Sequence, residues 1–346
     1  MKSLVLTIDY ELFGNGSGDV FKNIINPMYE LLSIAEKYDI KYTIFFEVVE
    51  YWKLKAEWMG GNSMGYPDNP AAAMEKQICE AYRQGHDIQL HIHPQWVDAY
   101  WENGRWIVDS HNWRLGGYKE GNIQLLYELL RKGKETLEKL LCPVNPNYRC
   151  LAIRAGGYNI QPSEGIVTVM KETGLAVDSS IYPGGFEKGN LSDYDYRNIN
   201  PSKGLWHVNE KLEEEGKSTV VELPIVAFPV MRLRKYLTRE WIGSLMKNRE
   251  SAKENLNAKM GVAKKGIWKK VRYLFQTEWQ TWDFCLFSPS RHNKFLKEIG
   301  RYDRDVFVLI GHPKCYSSGR GLNYLLKRTN GEFVFETITE VWNRNR

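Results

Sequence analysis

Ile88-Gln89-Leu90-His91-Ile92-His93-Pro94 reads as a short buried strand whose last residues turn polar. Upstream lies a helical stretch opened by Asn69-Pro70, with Asn as N-cap and Pro at the first helical position, running to about Gln84. Downstream, Ile123, Leu126, Tyr127, Leu130, Leu137 and Leu141 recur at helical spacing and mark a long amphipathic helix. The same alternation repeats along the chain. Further strand candidates are Leu4–Asp9, Tyr42–Val48, Ala152–Arg154, Ala176–Ile181, Thr219–Phe228 and Val306–Ile310. Asn26-Pro27 opens another helix, again with Asn as cap, and Gly174 closes a later one. Strands alternating with crossover helices imply a parallel α/β sheet, either a barrel or an open doubly wound sheet. Seven or so strands favour a barrel, read as one domain over residues 1–346. Two insertions interrupt it: a Trp-rich stretch at 95–118 and a basic, helical one near 231–275.

A hydrophobic share of 43% over 346 residues fills a large core and excludes disorder. Aromatics at 13% supply rings for a sugar-binding cleft, or simply core material. The five cysteines (Cys79, Cys142, Cys150, Cys285, Cys315) are scattered and form no CxxC pair, so neither a disulfide framework nor a thiolate zinc site is expected. Met1-Lys2 leads straight into Ser3–Asp9, an apolar run too short for a signal peptide. With no apolar run of about 18 residues to span a membrane, the expected location is cytoplasmic. Net charge is +5. Met231–Tyr273 alone carries 13 Lys/Arg against 3 Glu. Interleaved with Trp241, Leu245, Ile267 and Trp268, those charges suit an amphipathic helix lying on an anionic membrane. A solvated helical excursion is the plainer alternative. No nucleic-acid-binding module is present, so a nucleic-acid partner is not expected.

In parallel barrels, catalysis is built at the C-terminal strand ends. Four strands here end in polar groups: Asp9/Glu11, His91/His93, Arg154 and His312. Strand period two puts Asp9 and Glu11 on one face, where two buried carboxylates repel unless a cation or donors intervene. A helix cap or a surface pair would explain them equally simply. The same period puts His91 and His93 together, close enough to share one divalent ion such as Zn²⁺. His86, at a strand entrance after Gly85, reads as structural. In Arg154-Ala155-Gly156-Gly157-Tyr158, the glycines let the backbone turn and a ligand approach.

In order, the chain gives TIDYE, YTIFFEV, GHDIQLHIHP, RAGGY and VLIGHP. This series resembles the polysaccharide deacetylase (NodB-like) family over residues 3–182 and 305–315. The resemblance implies a distorted (β/α)7 barrel and hydrolysis of the N-acetyl group of an amino sugar, releasing acetate. By the match, Asp9 is the base and Arg154 orients it. Glu11, His91 and His93 hold one divalent metal, Zn²⁺ above all, with Co²⁺ or Ni²⁺ as alternatives. His312 is the general acid. Two positions depart from the family: its adjacent aspartates become Asp9-Tyr10-Glu11, and its His-x-x-x-His becomes His91-Ile92-His93. These departures bear on the metal ligands more than on the reaction. The implied partner is an N-acetylated sugar or glycan. Trp96 and Trp113 of the aromatic insertion, together with Gly157 and Tyr158, are expected to meet it, with a backbone N–H near Tyr158 facing the oxyanion. Another C–N hydrolase acting on cyclic amides or formamides, and a non-catalytic sugar-binding barrel, are the competing readings.

Overall fold

The structure, a computed structural model, describes residues 2–231, 275 and 277–346. Its centre is a parallel sheet of β1 (Lys2–Tyr10), β2 (Thr43–Glu47), β3 (Asp87–Ile92), β4 (Ala152–Ala155), β5 (Val177–Asp178), β6 (Val221–Glu222) and β7 (Val306–Gly311). The strands pair in the order β6-β5-β4-β3-β2-β1-β7. The sheet then meets itself. Just past β6, Ile225 bridges Val308 of β7, and Asp283 bridges Ile310. Four backbone bonds stitch this seam: Val226 N–H to the Val308 carbonyl (2.8 Å), Trp282 N–H to that of Val226 (3.1 Å), Ile310 N–H to that of Trp282 (3.0 Å) and Phe284 N–H to that of Ile310 (2.9 Å). The result is a distorted seven-stranded barrel whose last joint is isolated bridges rather than a ladder. Two short strands extend it: Trp206–His207 pairs antiparallel with β6, and Phe333–Phe335 pairs with the start of β1.

Helices α1 (Asn26–Tyr38), α2 (Val48–Met59), α3 (Pro70–Arg83), α4 (Ile123–Leu141), α5 (Glu164–Thr173), α6 (Pro289–Ile299), α7 (Arg320–Thr329) and α8 (Ile338–Asn345) complete the regular elements discussed below. Strands covered on both faces read as near-continuous apolar runs, and Leu4, Val5, Leu6 and Ile8 of β1 are at most 1% exposed. Of the apolar positions that mark α4, Leu126, Leu130, Leu137 and Leu141 are buried, Tyr127 is half-buried, and Ile123, in the first turn, is 48% exposed. Asn69 caps α3 by accepting from Ala72 N–H at 3.1 Å, and Gly174 ends α5 in the left-handed region at φ 71°.

Several elements differ from the sequence reading. Asn26 caps nothing; it sits in helical conformation inside a continuous helix. A π-turn at Phe21–Ile25, which buries Ile24 and Ile25, feeds directly into α1. Helix α2 has no counterpart among the expected elements, because it begins at Val48 with no loop after β2. Glu47 makes that junction, its carboxylate accepting from Val49 N–H at 3.0 Å and Glu50 N–H at 3.4 Å. The stretch expected as one strand at Thr219–Phe228 divides into β6 and a second strand, Ala227–Met231, which pairs antiparallel with Thr277–Thr281. The aromatic insertion folds partly as a hairpin, Tyr100–Glu102 against Arg105–Ile107. The basic insertion expected at 231–275 lies, apart from its two end residues, outside the described residues. Among the described residues, no helix is long and apolar enough to cross a membrane.

Candidate active site

At the C-terminal mouth of the barrel, period two sends Thr7, Asp9 and Glu11 to one side of the chain. All three are buried, at 0%, 4% and 4% exposure. Arg154 reaches across from β4. One guanidinium nitrogen donates to Asp9 Oδ1 at 2.7 Å and to Thr7 Oγ1 at 2.8 Å. Its other nitrogens donate to the Ser179 carbonyl at 2.7 Å and the Ser179 hydroxyl at 2.9 Å, so the group is fixed on two sides. Burial alone would raise the Asp9 carboxyl, but Arg154, then His91 and His312, outweigh it and hold it lowered.

Glu11 is also ionised by its surroundings. Burial pushes its carboxyl up, while Lys314 and then His93 bring it well below the ordinary value. Lys314 Nζ donates to Glu11 Oε1 at 2.7 Å and to the Leu12 carbonyl at 2.8 Å. Oε2 of Glu11 is left facing the histidines.

His91 Nδ1 lies 2.8 Å from the Arg154 carbonyl. A carbonyl only accepts, so Nδ1 carries the proton and Nε2 of the neutral ring presents a bare lone pair. That lone pair faces Glu11 Oε2 at 3.4 Å and Asp9 Oδ2 at 3.9 Å. His93 Nε2 stands 2.5 Å from Glu11 Oε2 but off the hydrogen-bonding axis, so neither Nε2 has a hydrogen-bond partner. Glu11, His91 and His93 each aim one donor atom at a common space, within 4.8 Å of one another; Asp9, Glu11 and His312 form a second such group. Orphaned nitrogen and carboxylate oxygen converging in a buried space fit a divalent cation, and the N/O donor set suits Zn²⁺. His93 reaches this position because residue 156 is glycine: a Cβ there would come within 2.3–2.4 Å of three ring atoms.

On the far lip of the mouth, His312 Nδ1 donates to Asp283 Oδ2 at 2.8 Å, and Nε2 lies 3.6 Å from Asp9 Oδ2. Burial would lower this imidazole, but the Asp283 hydrogen bond and charge, then Asp9, raise it. The arrangement therefore pairs a carboxylate held ionised with an imidazole inclined to stay protonated.

The structure thus gathers Asp9, Glu11, His91, His93, Arg154 and His312 in one place. His86 lies apart, its Nδ1 accepting from Tyr42 N–H at 2.9 Å and its pKa pushed down to about 4 by burial. Gly157 (φ 58°) and Tyr158 (φ 64°) turn in the left-handed region directly after β4. Half-buried Trp113 lies against Gly14 and Gly157, at the same mouth. Trp96 differs from expectation. It is 1% exposed and packed edge-to-face on Trp106, so its ring belongs to the insertion's own core and offers a sugar no open face.

Four residues escaped the sequence reading. Asp283 has no strand signal of its own, because the basic segment separates it from β6. Lys314 is two residues beyond His312, where Pro313 hides the period. Glu47 ends β2 in register with His91, and the strand-tip rule applied to YTIFFEV would have found it. Glu50 accepts from Leu12 N–H at 2.9 Å, and burial raises its pKa to about 8.

No protein-family model matches this sequence, and no curated protein does either. Solved structures do share its outline. A protein described as a polysaccharide deacetylase from Mycobacterium smegmatis aligns at 13% identity and TM-score 0.48, over 99% of this chain and 89% of that one. Puue allantoinase aligns at 12% and 0.46, over 99% and 89%. A GH57 branching enzyme from Thermococcus kodakaraensis aligns at 11% and 0.47, over 100% and 71%. At these identities and TM-scores the alignments assign no function to this chain, and the site itself has to carry it.

Proposed function

We propose that the barrel mouth is a hydrolytic centre that removes the acetyl group from an N-acetylated amino sugar of a glycan or glycan precursor. One observation carries the reading: the unpartnered Nε2 atoms of His91 and His93 converge on Glu11 Oε2 beside the Arg154-held Asp9. Those three residues would hold a divalent ion. When bound, such an ion supplies Lewis-acid polarisation of a carbonyl and acidification of water.

The remaining work falls to the chain's own side chains. Arg154 occupies Asp9 Oδ1 and leaves Oδ2 directed into the site, where it takes the proton of the attacking water. His312 keeps a proton on Nε2 because Asp283 holds Nδ1–H and favours the charged ring. As the C–N bond breaks, that proton passes to the departing nitrogen, which would otherwise leave as a poor anionic group. Water's oxygen ends in acetate, and the sugar leaves as the free amine. Trp113, Gly157 and Tyr158 line the approach, with the Tyr158 backbone N–H available to the developing oxyanion.

The test is acetate release from a panel of N-acetyl sugars with added Zn²⁺, Co²⁺ or Ni²⁺, run beside cyclic amides and formamides. Acetate released only with metal supports the reading. Turnover confined to the cyclic amides would replace it with a different C–N hydrolase. Metal-free protein that binds sugar without turnover would make the barrel a binding module.

A further inference from the structure

Gln95, the first residue of the aromatic insertion, is wholly buried against His93. Its amide nitrogen lies 2.8 Å from His93 Nδ1 and 3.2 Å from the Gly14 carbonyl. The Gly14 carbonyl can only accept, which orients the amide with its NH2 towards both partners. His93 Nδ1 therefore accepts, and the proton of the neutral ring belongs on Nε2. This is the opposite tautomer to His91, whose Nδ1–H is tied to the Arg154 carbonyl. At the other end of the same amide, Gln95 Oε1 is buried without a hydrogen-bond partner. A buried acceptor left in this way is costly.

The two oddities resolve together. A histidine that ligates through Nε2 must carry its proton on Nδ1, and that N–H then needs an acceptor. Gln95 Oε1 becomes that acceptor by a half-turn of the amide about its terminal bond. We propose that Gln95 is the positioning residue of His93 and selects its tautomer. Its NH2 faces Nδ1 when no cation is held, and its carbonyl oxygen faces Nδ1–H when one is. This rests on the metal-centre reading above. It adds that the site's second histidine is set by an amide that donates or accepts on demand, whereas the first is fixed by backbone.

The test combines imidazole nitrogen NMR of the full-length protein with Zn²⁺ affinity measured against a chromophoric chelator. In the wild type, His93 should show Nε2–H without metal and Nδ1–H with Zn²⁺. Gln95→Glu, which can only accept, should show Nδ1–H in both conditions and bind Zn²⁺ more tightly. Gln95→Leu should keep the fold by circular dichroism yet bind Zn²⁺ ~10- to 100-fold more weakly, the usual effect of removing a ligand's outer partner. Wild-type affinity in both variants, with His91→Ala losing Zn²⁺, would overturn the role of Gln95 and leave the metal centre intact. Failure of the wild type to take up Zn²⁺ would overturn the metal centre instead. The metal-free tautomers of wild type and Gln95→Glu would then still decide whether the amide sets the ring: an Nδ1–H wild type, or identical rings in both, sinks the proposal.

Discussion

Asp9 and Glu11 stand two residues apart, yet different cations hold them. Arg154 binds Asp9 at 2.7 Å and Lys314 binds Glu11 at 2.7 Å, so each carboxylate is ionised for its own reason. Asp9→Asn should accordingly keep bound metal while losing ~10²–10⁴ in kcat, the usual contribution of a general base. Loss of metal in that variant would instead exchange the roles of Asp9 and Glu11. The pH profile follows from the same neighbours. As the proposed base Asp9 must be ionised, and its pKa is lowered, so activity should fall as pH drops through that lowered value. As the proposed acid His312 must be protonated, and its pKa is raised, so activity should fall as pH climbs through that raised value. Asp283→Asn removes the main cause of the second shift. The alkaline limb of kcat/KM should move to lower pH while the acid limb stays in place. An unmoved alkaline limb would mean that His312 is not the acid.

The elements show which parts of this chain were legible in its sequence. Strands β1, β3, β4 and β7 were read nearly to the residue, because a strand buried on both faces leaves an uninterrupted apolar run and a polar tip. The same rule found Asp9, Glu11, His91, His93, Arg154 and His312. It failed where no break separates one element from the next. Val48 and Val49 prolong the apolar run of β2, and Glu47 is an uncommon cap, so α2 was invisible. At α1 the Asn-Pro signal was real chemistry in the wrong place, overridden by burial of Ile24 and Ile25 one turn earlier. At α3 the same signal holds, and Asn69→Ala should cost about 1 kcal/mol in a denaturant titration. Gly156→Ala probes the turn after β4. Its new methyl meets the His93 ring, so about 1–3 kcal/mol of overpacking should accompany weakened metal binding. Unchanged Zn²⁺ affinity in Gly156→Ala would show that His93 has room to yield.

Across the whole molecule, the site is assembled from residues at both ends of the chain, and no local pattern announces such a pairing. Lys314 meets Glu11 across 303 positions, and Arg154 meets Asp9 across 145. Topology makes the first contact by laying β7 beside β1, and the second by curling the sheet so that Arg154 reaches Asp9 from β4, across two intervening strands. Charge is also organised at this scale. The excess of Lys/Arg between Met231 and Tyr273 predicts binding to anionic vesicles at low salt that fades as salt screens it. Co-sedimentation checks this, and no binding at low ionic strength ends the idea.

The barrel's last joint has a consequence for how long His312 keeps its partner. Asp283 and His312 sit on opposite lips of the seam, which is held by isolated bridges where the other strands have ladders. In native-state hydrogen exchange, the amides of Val226 and Ile310 should lose protection before those of the β1–β2 ladder. Each such breath would also part His312 from the carboxylate that keeps it charged. Deuterium uptake along this single line would therefore time the intervals in which His312 keeps its carboxylate partner.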